Sequence, residues 1–181
     1  MMVTGASQPV HRESRRPYGG SAACSIELLD TAVADLATVN CIVAEASRAW
    51  NLTPRLRRLA VPTLLYDEAD LKQMSVAMAR SHDGPDVAVA LWEESAAPKS
   101  PQGARAVLLH GLYVAAVAQH SVVGSSLLNF VEKWSASRQF ARVELRAWRH
   151  ADPFFIAHGY RPPAAHEQAN LFPRRLRKSL K

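Results

Sequence analysis

Two groups of residues in this chain have types and spacing suited to chemistry. His110 can take up or release a proton near neutral pH. It stands two residues before Leu112-Tyr113-Val114. Alternate residues of a strand share a face, so the spacing predicts that His110 points with Leu112 and Val114. Four residues further on, Gln119, His120, Ser121, Val122, Val123, Gly124 and Ser125 lead into a helix. Val123, Leu127, Phe130 or Val131, and Trp134 recur at helical spacing. The first N–H groups of a helix have no partner within it, and its dipole favours an anion there. Residues 119–125 therefore read as a phosphate-binding turn between a strand and a helix.

The elements that must position these groups are legible around them. Leu108, Leu109, Leu112 and Val114 supply the strand over 105–114. A short strand is expected over 25–29, with Asp30 or Thr31 capping a helix marked by Leu36, Val39, Val43, Ala46 and Trp50. Thr53 and Pro54 restart a second helix, and residues 66–73 form a third turn. A hairpin over 74–92 turns at Ser81-His82-Asp83-Gly84-Pro85. After the helix from Gly124 to Ser137 come a strand at 142–147, a short helix at 151–158, a strand region at Tyr160 and a last strand over 168–172. This order implies α/β with a mixed sheet flanked by helices.

The central stretch resembles one family, the GNAT acyltransferases, which use acetyl-coenzyme A. Their motif runs as a strand ending in Leu-Tyr-Val, then Gln/Arg-x-x-Gly-x-Gly/Ala, then a helix opening with Leu-Leu. Leu112-Tyr113-Val114, Gln119, Gly124 and Leu127-Leu128 fall at matching offsets. A second family element is the strand 143–147, the aromatic pair Phe154-Phe155 and the step Gly159-Tyr160. The likeness covers about 55 residues, Leu108 to Pro162. Four positions depart from it: His120 and Ser121 stand where the family most often has Gly and Lys or Arg. Val122 replaces a glycine of the loop, and Phe155 replaces the tyrosine that often serves as general acid.

The resemblance implies a GNAT-like fold and N-acetyl transfer from acetyl-CoA to a small-molecule or protein amine. It implies that Leu112, Tyr113 and Val114 face the coenzyme with their backbone. Residues 119–125, with Phe154 and Phe155, would hold the rest of it. His110 becomes a base for the amine proton, with Glu93 and Glu94 as competing candidates. Neither Tyr113 nor Tyr160 is assigned as acid. Arg55, Arg57 and Arg58, beside Trp50 and Tyr66, fall where the family covers its acceptor, and could attract an acidic one. Phe155 and Val122 also leave open a catalytically silent module that binds coenzyme A or a protein partner.

Composition sets the frame. With 181 residues and 48% of them apolar, the chain suits one domain with a substantial core. No run reaches the eighteen or so apolar residues of a membrane span. Cys24 and Cys41 form no metal-binding spacing, so no metal is expected and the thiols suit a reducing, cytoplasmic setting. The net charge of +6 is carried mostly by the ends. Residues 1–22 read as a disordered basic tail, 23–173 as one GNAT-like domain, and 174–181 as a basic C-terminal end. The basic end has no stacking aromatic beyond Phe172, so nucleic acid is not expected as a partner.

Overall fold

The computed structural model describes residues 24–29, 35–81, 84–95, 104–148, 150–163 and 174–180. The expected tail over 1–22, the tip of the hairpin turn at 82–83 and the strand over 168–172 lie outside the described residues.

Six strands form one sheet in sequence order: β1 (Cys24–Leu29), β2 (Ser75–Ser81), β3 (Asp86–Glu94), β4 (Ala106–Val114), β5 (Arg142–Ala147) and β6 (Arg174–Ser179). Among the described residues only β4 and β5 are parallel; the other pairings are antiparallel. The crossover between them is α4 (Val123–Ser137), as a parallel pair requires. Before the hairpin come α1 (Leu36–Arg48), α2 (Pro54–Ala60) and α3 (Glu68–Gln73); α5 (Asp152–Ala157) follows β5.

The sheet separates two apolar clusters. On one face, α4 lays Val123, Leu127, Leu128 and Val131 against Trp92, Val107, Leu109, Val143 and Leu145. On the other, α1 and α3 lay Val39, Ile42, Val43 and Leu71 against Val76, Met78, Val89, Leu91 and Tyr113. The expected cap of α1 at Asp30 or Thr31 is corrected by four or five residues. Asp35 caps it, its carboxylate accepting from the N–H groups of Ala37 and Thr38. Thr53 caps α2 with Pro54 in its first turn, as expected.

The basic end set apart at 174–181 is itself the sixth strand over 174–179, so the sheet runs past residue 173. Basic side chains hide its alternation: Leu176 is buried in the α4-side core, while Lys178 reaches Glu132 at 2.6 Å and Arg175 reaches Glu144 at 3.1 Å. The strand region expected at Tyr160 is reduced to one bridge, Arg161 to Arg177. No helix among the described residues is long and apolar enough to cross a membrane.

Candidate active site

β4 and β5 pair only from Ala106–Arg142 to Leu109–Leu145, and β4 then continues alone on that side to Val114. The separation starts at a bulge. Leu91 of β3 faces Gly111 and Trp92 faces Leu109, which leaves His110 as the extra residue. Beyond the bulge, Ala115 N–H donates to Val87 O at 2.8 Å. Antiparallel strands alternate the direction of their backbone groups, so Gly111, Tyr113 and Ala115 bond to β3. Leu112 and Val114 therefore turn their N–H and C=O groups toward the side that β5 has left.

The bulge corrects the predicted orientation of His110. Val107 and Leu109 face α4, as do Leu112 and Val114, because the inserted residue absorbs one step of the alternation. His110 instead shares the α1 side with Tyr113 and with Glu93. Its Nε2 lies 2.9 Å from Glu93 Oε1, and each side chain keeps 29% of its surface accessible. A carboxylate only accepts, so Nε2 carries a hydrogen and donates it to Glu93, which leaves Nδ1 for a further partner. The structure thus joins two residues that the sequence offered as competitors. Glu94 pairs elsewhere, with Arg105 at 2.9 Å.

Gly111 is required by its neighbours. A Cβ there would press into the Tyr113 ring and come within 2.6 Å of the Tyr66 hydroxyl. Asn40 holds Tyr66 in place from α1, its amide bonding both the N–H and the C=O of Tyr66 at 2.9 Å. Burial pushes both phenols above their ordinary value; for Tyr66, the Tyr113 hydroxyl adds to the rise.

At the other end of the opening, α4 begins. Its N-cap residue, Val122, has no capping side chain and is exposed. Ser121 Oγ accepts from Val123 N–H at 3.3 Å, and His120 adopts the left-handed φ of 60° that turns the loop. The first-turn N–H groups of Gly124 and Ser125 have no partner within the helix. Gly124 lies against Val114 and Phe154, and a Cβ there would meet both at 3.5–3.6 Å, an ordinary contact. Gln119 is committed to structure: its Nε2 donates to Val114 O at 3.0 Å and to Ala46 O at 3.4 Å. Val123 is buried in the α4-side core, as is Phe155, which meets Tyr160 edge-on at 5.6 Å.

His158, Trp148 and His150 were not legible as site residues, whereas Trp50 and Arg57 stood among the expected acceptor-side groups. His158 takes Phe154 O at 2.8 Å with Nδ1 and Ser125 Oγ at 2.9 Å with Nε2. The carbonyl fixes the tautomer, so Nε2 accepts from the serine hydroxyl. Its position four residues after Phe154 was the available signal. Trp50, just past the end of α1, meets Trp148 at 6.3 Å and His150 at 5.0 Å just past β5. Arg57 faces inward here, its guanidinium capping the end of α1 through Arg48 O and Trp50 O. Arg55 and Arg58 stay exposed on α2. Among the described residues, no three His, Cys, Asp or Glu side chains cluster as a metal site.

Solved structures share this fold. A GCN5-related N-acetyltransferase from Rhodopseudomonas palustris matches 89% of the chain and 98% of its own length at 18% identity and a TM-score of 0.64. The chain has the GNAT fold. The PaiA N-acetyltransferase of Thermoplasma acidophilum, solved with coenzyme A, covers 87% of this chain and 99% of its own, with 15% identity and a TM-score of 0.63. The AtaT toxin, solved with the C-terminus of the antitoxin AtaR and acetyl-CoA, covers 86% and 92%, with 18% identity and a TM-score of 0.55. No family model and no curated protein sequence matches the chain.

Proposed function

We propose that this protein is an N-acyltransferase that moves an acetyl group from acetyl-CoA to an amine. The observation that carries the reading is the parting of β4 from β5 after Leu109, which opens directly onto the first turn of α4. Structural neighbours with this fold bind acetyl-CoA or coenzyme A.

The residues present suit that coenzyme. Pyrophosphate would take the first-turn N–H groups of Gly124 and Ser125, with the loop from His120 to Val123 around it and Phe154 alongside. The outward N–H groups of Leu112 and Val114 would polarise the thioester oxygen, a role that needs no side chain. His110 Nδ1 takes the amine proton, while Glu93 holds the ring by its other nitrogen. The amine nitrogen then bonds the acyl carbon and the sulfur leaves with its electron pair. A thiol with a pKa of about 8.5 is a tolerable leaving group without a tyrosine at position 155. The acceptor is a small-molecule or protein amine, and the coenzyme and the exposed Cys41 thiol fit the cytoplasm.

Thermal shift with acetyl-CoA tests the reading. Ligand at about a hundredfold excess over Kd should stabilise the fold by about 2.7 kcal/mol. Gly124→Ala should keep the shift, and Gly124→Glu should lose it by charge repulsion. Absence of a shift at millimolar coenzyme sinks the proposal. The buried Phe155, which supplies no hydroxyl, favours a second reading: a module that binds coenzyme without turnover. That reading holds if coenzyme stabilises the fold while amines release no free thiol above background.

A further inference from the structure

Acyl transfer between coenzyme and amine leaves the side chains of Ser125 and His158 without a chemical task. Ser125 Oγ lies 2.9 Å from His158 Nε2, and His158 Nδ1 lies 2.8 Å from Phe154 O. A carbonyl only accepts, so Nδ1 carries a hydrogen, and Nε2 of the neutral ring takes the one on the serine hydroxyl. The three groups are a nucleophile, a base within hydrogen-bond reach and an orienting partner for that base. The orienting partner is a backbone carbonyl, where the familiar triad has a carboxylate. The Phe154 ring also packs on the imidazole, at 4.4 Å between centroids, and restrains it. Both Ser125 and His158 are half-buried, so neither is sealed in the core.

Acyl chemistry at a serine also needs donors for the oxyanion that develops. Ser125 is the third residue of α4, so its own N–H and that of Gly124 have no partner within the helix. Pairing the nucleophile's own N–H with a second one nearby is how serine proteases build their oxyanion hole. Val123 N–H is already engaged, donating to Ser121 Oγ at 3.3 Å. The Phe154 ring, 3.6 Å from where a Cβ of Gly124 would stand, gives the acyl group an apolar wall.

Beyond the acyltransferase reading, we propose that Ser125 is a nucleophile with His158 as its base, and that the pair hydrolyses short-chain esters. Ser125 Oγ bonds the acyl carbon while its hydrogen passes to Nε2. The ester C–O bond then breaks, and the alcohol leaves with that hydrogen. Water attacks the acyl-serine, gives a hydrogen to Nε2, and the serine oxygen leaves with it. The products are a carboxylic acid and an alcohol, and water is the only co-reactant. The pyrophosphate proposed above uses the same two N–H groups, so coenzyme and ester exclude each other.

A fluorophosphonate probe and p-nitrophenyl acetate test the pair on the full chain. The probe should label Ser125, located by peptide mass. Ser125→Ala should lose the label and slow nitrophenol release by on the order of a hundredfold. His158→Gln, which keeps a hydrogen-bond partner but no basic nitrogen, should slow labelling by a similar factor. Probe found on other serines but not on Ser125, or wild-type nitrophenol release in Ser125→Ala, overturns the proposal. Labelling of the wild-type chain needs no variant, so the test stands where a substitution unfolds the protein. Coenzyme A should protect Ser125 from the probe. Failure of the acyltransferase reading shows separately, as an absent thermal shift with coenzyme while Ser125 is still labelled.

Discussion

His158 Nε2 and Ser125 Oγ lie 2.9 Å apart, joining the end of α5 to the first turn of α4. The same ring is anchored through Nδ1 to Phe154 O, so one imidazole fixes the position of the helix start. Ser125→Ala should cost about 1 kcal/mol, the usual worth of one such bond. It should also weaken coenzyme binding a few-fold, by loosening the donors at Gly124 and Ser125. Calorimetry with coenzyme A checks this; unchanged affinity would make the bond a matter of packing alone.

Gly111→Ala should destabilise the fold by roughly 1–3 kcal/mol or more, the cost of overpacking a filled site. Its Cβ meets a ring and a hydroxyl that Asn40 and the surrounding cluster hold still. Denaturant unfolding measures the loss. A change within about 0.5 kcal/mol, typical of a surface site, would show that the bulge can relax.

His110→Ala should lower turnover by on the order of a hundredfold while coenzyme affinity stays put. Glu93→Gln keeps a partner for the ring but removes the carboxylate, and should lose less. His110→Gln keeps a hydrogen bond to Glu93 but has no basic nitrogen, and should lose about as much as His110→Ala. Turnover near wild type in all three variants would return the His110–Glu93 pair to a structural role.

Alkaline stability follows from the buried phenols. Burial raises Tyr66, Tyr113 and Tyr160 above the ordinary value, with Glu132 adding to the rise at Tyr160. Unfolded tyrosines ionise near 10. The folded state therefore binds more protons above that pH, and its stability, complete below about 10, declines as pH rises further. Tyr160→Phe should flatten the decline. A stability constant between about pH 9 and 12 would contradict the burial of these hydroxyls.

The fold was largely legible because its signals were local. Leu112-Tyr113-Val114, the helical spacing after Gly124 and the Thr53-Pro54 start each declare an element within a few residues. What escaped depended on pairing. A bulge leaves no mark in a count of alternate residues, so His110 was assigned to the wrong face although Glu93 was already in view. The last strand carries Arg175, Leu176, Arg177 and Lys178, where only Leu176 looks like a strand. Its basic side chains find Glu144 and Glu132 only once the sheet has formed. The Ser125–His158 bond spans 33 residues and two helices, beyond any motif spacing.

The Trp50–Trp148 pair gives the molecule its own optical reporter. The chain has four tryptophans. Trp92 and Trp134 stack edge to face at 5.1 Å within the α4-side core, where emission should be blue-shifted and indifferent to ligands. Trp50 and Trp148 sit where α1 and β5 end, at the mouth of the opening. An acceptor entering there should quench or shift only this second pair, leaving half of the indole signal as an internal standard.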